Sequence, residues 1–266
     1  MRCFTINDAH IYVTPAQLKE EFVRVLNLFK EVYETLGIKD YWFRLSLPDF
    51  KNNPAKYSGD QKDWEFASDE IRKAMKEFGA KYEEGTGEAA FYGPKIDVQI
   101  KNALGKEETI ATSQIDILVP KRLGLTYVNK KGEKENVIVI HRGIMGSYER
   151  FISYLLEQTE GKFPLWLAPV QVAVIPISDK HVAYSTKVYE ELRARGLRAE
   201  HHSGSETLEY RVREAQKQKI PYSLVVGEKE EKNETVAVRS RDGKVKYGVD
   251  LGEFLVNTAA EIEEKK

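Results

Sequence analysis

Hydrophobic residues near the start of the chain follow a helical spacing. Between residues 14 and 37 they recur at steps of three and four, as on one face of a helix. Thr14, Pro15 and Gln17 supply an N-cap, a proline at the first helical position and a residue able to complete a capping box. Gly37 follows where a C-cap is needed. The pattern therefore predicts a helix over this stretch.

The rest of the first half mixes helical spacing with short β-rich runs. Strands that follow one another through short turns favour an antiparallel sheet, which the neighbouring helices would cover. We therefore predict an α+β fold here. Its further elements are a strand over 41–47, a helix over 62–78, strands over 90–101, 108–119 and 137–140, and a helix over 143–158.

The spacing changes after a proline-containing segment. Strands and helices alternate with short connections, which is typical of a compact α/β domain with a largely parallel sheet. We therefore predict a first domain over 1–162, a linker over 163–169 and an α/β domain over 170–266. The predicted elements of the last domain are strands over 171–177, 198–202, 222–226, 235–241 and 245–247, and helices over 180–195, 206–219 and from 250 onward.

Composition narrows the class of protein. Lys and Arg number 41 and Asp and Glu 42 among 266 residues, so nucleic-acid binding would need a local basic patch. Cys3 is the single cysteine, which excludes an intramolecular disulfide framework and fits a reducing compartment. The longest apolar run is too short for a membrane span, and the start has no signal-peptide core. We expect a cytoplasmic protein without a membrane partner.

Two histidines are candidate metal ligands. Alternation places His10 on one face of a strand, and His141 ends another strand. With a third ligand and an open fourth position, they would form a substrate-binding zinc site. Two separated histidines are, on spacing alone, more often ordinary polar residues.

Glycines and cations mark two further candidate sites. The segment 143–151 joins small residues to Arg150, so a planar ligand or phosphate could approach its backbone, although helix packing explains it equally well. Lys95 follows a tight turn and is either an anion contact or an ordinary lysine. The segment 203–206, on spacing alone, is an N-capping loop.

Four segments in order carry a family resemblance. They read FTINDAHIY over 4–12, AAFYGPKID over 89–97, HRGIMGSYERF over 141–151 and FPLWLAPVQV over 163–172. Together they resemble the bacterial type of threonyl-tRNA synthetase, a class II aminoacyl-tRNA synthetase, over essentially the whole chain. Related prolyl enzymes share the Gly-Pro-Lys turn but are not expected to carry both His10 and His141. The resemblance implies an incomplete antiparallel class II catalytic sheet followed by a small α/β anticodon-binding domain.

The resemblance also assigns roles to individual residues. It implies ATP with Mg²⁺ and a Zn²⁺ ion that binds the amino and hydroxyl groups of threonine. A site that must bind the hydroxyl rejects valine strongly, whereas a hydrophobic pocket barely does. The implied residues are His10 and His141 for zinc; Asp8, Tyr92, Gln114 and Ser147 for threonine; Phe4 and Arg150 around adenine; Lys95 and Arg150 for catalysis; and Ser205, Glu230 and Arg239 for the anticodon.

Departures from the family pattern limit the expected activity. The chain begins inside the second class II signature, so the arginine for the α-phosphate, the dimer signature, the cysteine that is the third zinc ligand and the editing domain are expected upstream. Cys3 is not at the ligand's place. Ile6, Thr109 and Ser205 replace residues that are frequent in the family. The family is homodimeric, but its main dimer signature is missing here.

The sequence leaves three interpretations open. The first is a threonine–tRNA ligase whose partners are threonine, ATP and tRNA(Thr), inactive as this chain alone. The second is a non-catalytic RNA-binding fragment or paralogue that acts through the anticodon-binding domain. The third is the product of a broken gene whose unpaired sheet edge promotes aggregation. The second needs a basic patch on one face, and the available cations are Arg211, Arg213, Lys217, Lys219, Arg239 and Arg241.

Overall fold

A computed structural model of the chain describes residues 2–265. The chain divides into two compact units, Met1–Glu157 and Gln158–Lys266. Each unit has its own sheet and its own helices.

The first unit is built on a six-stranded sheet. Its strand order is β1-β8-β5-β4-β2-β3, and every neighbouring pair is antiparallel except β2 and β3. A small separate hairpin is formed by β6 and β7. The strands are β1 (Ala9–Val13), β2 (Tyr41–Leu47), β3 (Tyr82–Thr86), β4 (Lys95–Lys101), β5 (Glu107–Asp116), β6 (Thr126–Val128), β7 (Lys134–Asn136) and β8 (Ile138–Gly143).

The helices of this unit are α1 (Leu18–Thr35), α2 (Gln61–Phe78), α3 (Val119–Arg122) and α4 (Tyr148–Thr159). The predicted capping box is present, since the Thr14 backbone N–H donates to the Gln17 side chain at 3.0 Å, and a 3₁₀ turn leads into α1. The cap of α2 is Asp60, whose carboxylate accepts from the N–H of Lys62. Both helices bury an apolar face, as the spacing predicts.

Several predicted bounds of the first unit are wrong. Residues 90–94 form a turn rather than the start of a strand, because β4 begins at Lys95. The last helix begins at Tyr148 rather than near 143, because β8 extends to Gly143 and a turn follows. The strand predicted over 108–119 ends at Asp116, because helix α3 begins at Val119. Strand β3, helix α3 and the hairpin of β6 and β7 were not predicted.

The second unit is a five-stranded sheet with helices. Its order is β10-β9-β11-β12-β13, in which β10, β9 and β11 are parallel and the last two pairings are antiparallel. The sheet is therefore mixed rather than largely parallel, and the short helix α7 was not predicted. Its elements are β9 (Val172–Pro176), α5 (Val182–Ala194), β10 (Ala199–His201), α6 (Leu208–Lys217), β11 (Tyr222–Val226), α7 (Glu228–Asn233), β12 (Thr235–Ser240), β13 (Val245–Asp250) and α8 (Leu251–Glu263).

The segment predicted as a linker is tied to the second unit. The guanidinium of Arg198 donates to the Trp166 carbonyl at 2.9 Å and to the Ala168 carbonyl at 2.8 and 3.0 Å. The Gln171 side chain also donates to the Leu165 carbonyl at 2.9 Å. Backbone carbonyls of this segment thus have partners within the unit. The domain limits drawn from the sequence stay a prediction.

No helix between residues 2 and 265 is long and apolar enough to cross a membrane.

Candidate active-site face

Polar side chains form a row across one face of the first unit's sheet. His10 lies opposite His141, His141 opposite Gln114, Gln114 opposite Lys95, and Lys95 opposite Ser46. Directly opposed residues of antiparallel strands project from the same face. Strand pairing therefore brings together residues that are more than 100 positions apart in the sequence.

The two histidines form the first end of this row. Their ring centroids are 4.4 Å apart and the rings are nearly perpendicular. Asp8 lies beside them, with its Oδ2 at 3.8 Å from the Nε2 of His10. One donor atom from each of the three residues lies within 4.8 Å of the others, and this is the one such group among residues 2–265. Cys3 is exposed and outside that group.

Asp116 adds a buried carboxylate to this end, and its role there was not predicted from the sequence. Its Oδ2 lies 3.2 Å from the Nε2 of His141, and the residue is 2% exposed. Its Oδ1 accepts the backbone N–H groups of Leu118 and Val119 at 3.0 and 2.8 Å. Its spacing from Gln114, two residues along one strand, was the available signal.

Tyr92 and the turn after it close the same end. The ring of Tyr92 lies 5.7 Å from that of His141. Burial raises the pKa of Tyr92, and the nearby carboxylates of Asp116 and Asp8 raise it further. A Cβ on Gly93 would lie 1.7 Å from the carbonyl oxygen of Ile115, so no larger residue fits this turn. The Gln114 amide donates to the Gly93 carbonyl at 3.4 Å.

The other end of the row is a network of charges. The Lys95 ammonium donates to both oxygens of Asp97 at 2.8 and 2.7 Å. Asp97 is fully buried, and it also accepts from the Ser46 hydroxyl at 2.6 Å. The guanidinium of Arg44 lies 3.6 Å from the same carboxylate. These contacts hold the Lys95 side chain in place on the sheet face.

The segment before β1 is fastened to the turn before α4. The backbone N–H of Asn7 donates to the Gly146 carbonyl at 2.8 Å, and the Asn7 side chain accepts from Ile144 at 3.2 Å. Gly146 has a φ of +54°, and a Cβ there would lie 2.4 Å from the Ile110 carbonyl oxygen. The glycine-containing segment thus packs backbone against backbone.

This fastening positions three of the predicted residues. Ser147 forms a β-bridge with Ile6 and is half-buried. The ring of Phe4 is 54% exposed, so one face is open to a ligand. Arg150 is exposed, and its Nη1 donates to the Thr109 carbonyl at 3.2 Å. The structure shows no ring-to-guanidinium contact between Phe4 and Arg150 among the residues it describes.

The three predicted anticodon residues lie in the second unit. Ser205 is exposed in the loop before α6, whose N-cap is Thr207 rather than a residue of 203–206. Glu230 accepts the Gly227 backbone N–H at 3.0 Å and so caps α7. Arg239 on β12 has a buried Nε with no hydrogen-bond partner among residues 2–265.

The cations proposed as a basic patch are partly used inside the unit. Arg211 is 7% exposed and donates to the His202 carbonyl at 2.8 Å. The guanidinium of Arg241 donates to the Phe163 carbonyl at 2.7 Å. Lys217 forms an ion pair with Glu214. Arg211 and Arg241 are therefore engaged within the unit, whereas the surface pair of Lys217 leaves its ammonium open to solvent, so fewer cations remain for a basic patch than the sequence offers.

Comparison with known families agrees with this geometry. Residues 1–159 match the model described as tRNA synthetase class II core domain (G, H, P, S and T). The chain belongs to the class II tRNA synthetases. Residues 171–258 match the model described as anticodon binding domain. Members of the class II family use ATP with Mg²⁺.

Curated relatives of this class II chain are named threonine–tRNA ligase. The relative from Staphylococcus epidermidis is 46% identical over 100% of this chain and 41% of its own length. The relative from Listeria welshimeri is 49% identical over 98% of this chain and 41% of its own length. The chain thus spans about two fifths of the length of these relatives. They confirm the resemblance to threonyl-tRNA synthetases predicted from the sequence.

Solved structures confirm the predicted fold of this class II chain. The crystal structure of the RNA binding domain of threonyl-tRNA synthetase from Cryptosporidium parvum has a TM-score of 0.86 and 32% identity, covering 97% of this chain and 64% of that one. A prolyl-tRNA synthetase structure from the same organism has a TM-score of 0.64 at 18% identity, covering 97% of this chain and 50% of that one. This second likeness concerns the fold alone.

Proposed function

We propose that this chain is the part of a threonine–tRNA ligase that recognises threonine and carries the anticodon-binding domain. The observation that carries the proposal is the placement of His10 directly opposite His141, with Asp8 beside them, at one end of the polar row. Both imidazoles are accessible, since His10 is exposed and His141 is half-buried. The relatives named threonine–tRNA ligase support the same substrate.

The donor set fits a zinc ion. His10 and His141 offer imidazole nitrogens and Asp8 offers a carboxylate oxygen, with one atom of each within 4.8 Å of the others. His10 and His141 would hold the ion, and Asp8, within the same group of donor atoms, would accept the threonine hydroxyl. Zinc held there would supply a Lewis acid for the amino and hydroxyl groups of threonine. The hydroxyl is the group that distinguishes threonine from valine.

The remaining residues of the row would orient the substrate. Tyr92 and Gln114 line the histidine end, and the Lys95 ammonium, held by Asp97, places positive charge at the other end. Phe4 and Arg150 would hold adenine of ATP, and Mg²⁺ would accompany its phosphates. Activation of an amino acid by ATP is in-line attack of a carboxylate on the α-phosphate, which depends on positioning and on stabilisation of charge.

A zinc and ligand measurement tests this proposal. We expect about one zinc per purified chain, as a single site implies, and preferential binding of threonine over valine by calorimetry. His10→Ala should remove both the metal and the selectivity. The matched control is His181→Ala, which changes a histidine in the second unit. Equal binding of threonine and valine by a zinc-loaded chain would contradict the proposal, and exchange of pyrophosphate into ATP would show whether the chain also activates threonine.

A second candidate function is RNA binding by residues 158–266 alone. This unit is compact by itself, and residues 171–258 match the anticodon-binding model. We propose that Ser205, Glu230 and Arg239 contact splayed anticodon bases. Arg239→Ala should weaken binding of tRNA(Thr) transcripts in filter assays, whereas Arg213→Ala, on an exposed part of α6, should change it less. Equal losses in both variants would remove the specific role of Arg239.

The proposal also covers the cellular location and the oligomeric state of the protein. The family would place this chain in the cytoplasm and in a homodimer. Sedimentation of the purified chain tests whether it forms a homodimer, since a dimer has twice the 30.5 kDa mass of one copy.

A further inference from the structure

We propose that Asp116 is a positioning residue that determines which ring nitrogen of His141 is available to zinc. The inference rests on the proposed function, because it concerns a ligand of the proposed metal site. The carboxylate of Asp116 is 2% exposed, and its Oδ2 lies 3.2 Å from the Nε2 of His141. No residue role implied by the family resemblance involves this carboxylate.

Hydrogen-bond chemistry gives the direction of the effect. A carboxylate oxygen only accepts, so the Nε2 of His141 must carry the hydrogen in this contact. A neutral imidazole with hydrogen on Nε2 has its lone pair on Nδ1. A metal needs that lone pair, so His141 would bind zinc through Nδ1. A carboxylate behind a histidine ligand commonly sets the ring orientation and its basicity in this way.

The backbone holds the carboxylate in this orientation. The second oxygen, Oδ1, accepts N–H groups from Leu118 and Val119 at 3.0 and 2.8 Å. These bonds fasten the side chain to the start of α3, so rotation away from His141 would leave two backbone donors without a partner. One carboxylate therefore connects a helix start to a metal-ligand candidate.

The rest of the environment limits the imidazole from other directions. The ring of His10 lies 4.4 Å from that of His141, and the ring of Tyr92 lies 5.7 Å away. The backbone is fixed as well, since the Ser113 hydroxyl donates to the His141 carbonyl at 3.2 Å. Among residues 2–265, Asp116 makes the one hydrogen bond to the imidazole of His141. Its tautomer is thus decided by the partner at Nε2.

Asp116→Asn separates the two functions of this side chain, which are to cap the start of α3 and to accept the hydrogen of His141. The amide oxygen of asparagine can still accept from Leu118 and Val119, while its NH₂ group faces Nε2. A donor at that place requires a lone pair on Nε2, which moves the ring hydrogen to Nδ1. We expect zinc affinity to fall by about 10- to 100-fold, the usual effect of losing such a partner.

Asp60→Asn is the matched control. Asp60 also caps a helix, since its Oδ1 accepts from the Lys62 N–H at 3.0 Å, and asparagine is an equally good N-cap. Both variants lose one negative charge in the first unit. Zinc titration of the full chain with a competing chelator should show a loss for Asp116→Asn and no change for Asp60→Asn. Equal affinities of the two variants would overturn the positioning role.

A second measurement can be decided on the wild-type chain alone. Imidazole ¹⁵N NMR of the metal-free wild-type chain should show His141 with hydrogen on Nε2, and Asp116→Asn should show hydrogen on Nδ1. Hydrogen on Nδ1 in the wild type would overturn the inference even if the variant does not fold. A wild-type chain that takes up no zinc would instead overturn the metal site of the proposed function, and the NMR tautomer would still decide the role of Asp116.

Discussion

Lys95 and Asp97 lie two residues apart on β4, and the ammonium of Lys95 donates to both oxygens of a carboxylate that is fully buried. Ser46 donates a third hydrogen bond to it, and Arg44 adds a second positive charge nearby. A buried carboxylate needs this compensation, because water does not solvate it. The Lys95 ammonium, which places positive charge on the sheet face, is thus also part of a network that stabilises the fold.

Asp97→Ala should therefore destabilise the first unit. Removal of the carboxylate leaves the cations of Lys95 and Arg44 without their shared partner, and breaking a buried pair costs about 3–5 kcal/mol. Urea denaturation followed by tryptophan fluorescence measures the change in the free energy of unfolding. Asp69→Ala is the control, since Asp69 forms a surface ion pair with Arg72 worth at most about 1 kcal/mol. Similar losses of unfolding free energy in both variants would show that the buried charge network of Asp97 contributes no more than a surface ion pair.

Gly93→Ala should disturb the turn that carries Tyr92. The added Cβ would lie 1.7 Å from the Ile115 carbonyl oxygen, so the backbone has to move, and overpacking of this kind costs about 1–3 kcal/mol or more. Gly105→Ala is the comparison, because that site has open space, so the substitution costs only the backbone strain of a positive φ of 75°. Calorimetric melting should show the larger drop for Gly93→Ala. The reverse order would mean that the turn adapts.

His201 should make the second unit less stable in acid. Burial lowers its pKa in the folded protein, and the neighbouring charges of His202 and Arg211 lower it further. The unfolded chain then binds more protons below about pH 6.5, so the free energy of unfolding falls as the pH decreases through that range. Melting temperatures at pH 7.5 and 5.5 measure the slope.

His201→Gln should reduce that slope, because glutamine does not titrate and its amide can still donate to Ser185, which lies 2.7 Å from His201 Nε2. His202→Gln, which removes one of the charges that lower the pKa of His201 but keeps its burial, should reduce the slope by less. A slope equal to that of the wild type would show that other groups cause the acid sensitivity.

Arg198→Ala should release the segment before β9. Its guanidinium donates to the carbonyls of Trp166 and Ala168, and hydrogen bonds to a charged group contribute about 1.5–3 kcal/mol each. We expect faster cleavage between residues 163 and 169 in limited proteolysis read by mass spectrometry. Arg213→Ala on α6 should leave the cleavage rate as in the wild type. An unchanged rate for Arg198→Ala would show that other contacts hold this segment.

Local signals in the sequence were sufficient for elements with clear spacing and caps. Helices α1 and α2 have apolar faces and identifiable ends, and both were predicted within a few residues. Strand β3 was missed because Tyr82–Thr86 is largely polar and pairs in parallel with a strand some 40 positions earlier. Helix α7 was missed because its six residues carry no apolar face. Both depend on contacts that periodicity does not record.

The candidate site likewise combines features that local sequence signals predict with contacts that depend on the folded sheet. Alternation predicted that His10 faces one side of a strand, but no local pattern says that His141 lies opposite it. That pairing depends on the register of β1 against β8, which is set by the folded sheet. Asp116 could have been noted from its spacing after Gln114. Its contact with His141, however, joins two neighbouring strands whose residues are 25 positions apart in the sequence. Residue types were predictable, and their partners were not.

The row from His10 to Ser46 crosses five adjacent strands, so at a strand spacing of about 4.8 Å it extends for about 19 Å. The row is continuous because, in each strand, every second side chain projects from the same face of the sheet. Exchange of one side chain alters one position of the row, whereas insertion of a single residue within β5 or β8 would turn the following part of that strand over. Point substitutions therefore change this surface one position at a time, whereas an odd insertion within a strand changes several positions at once.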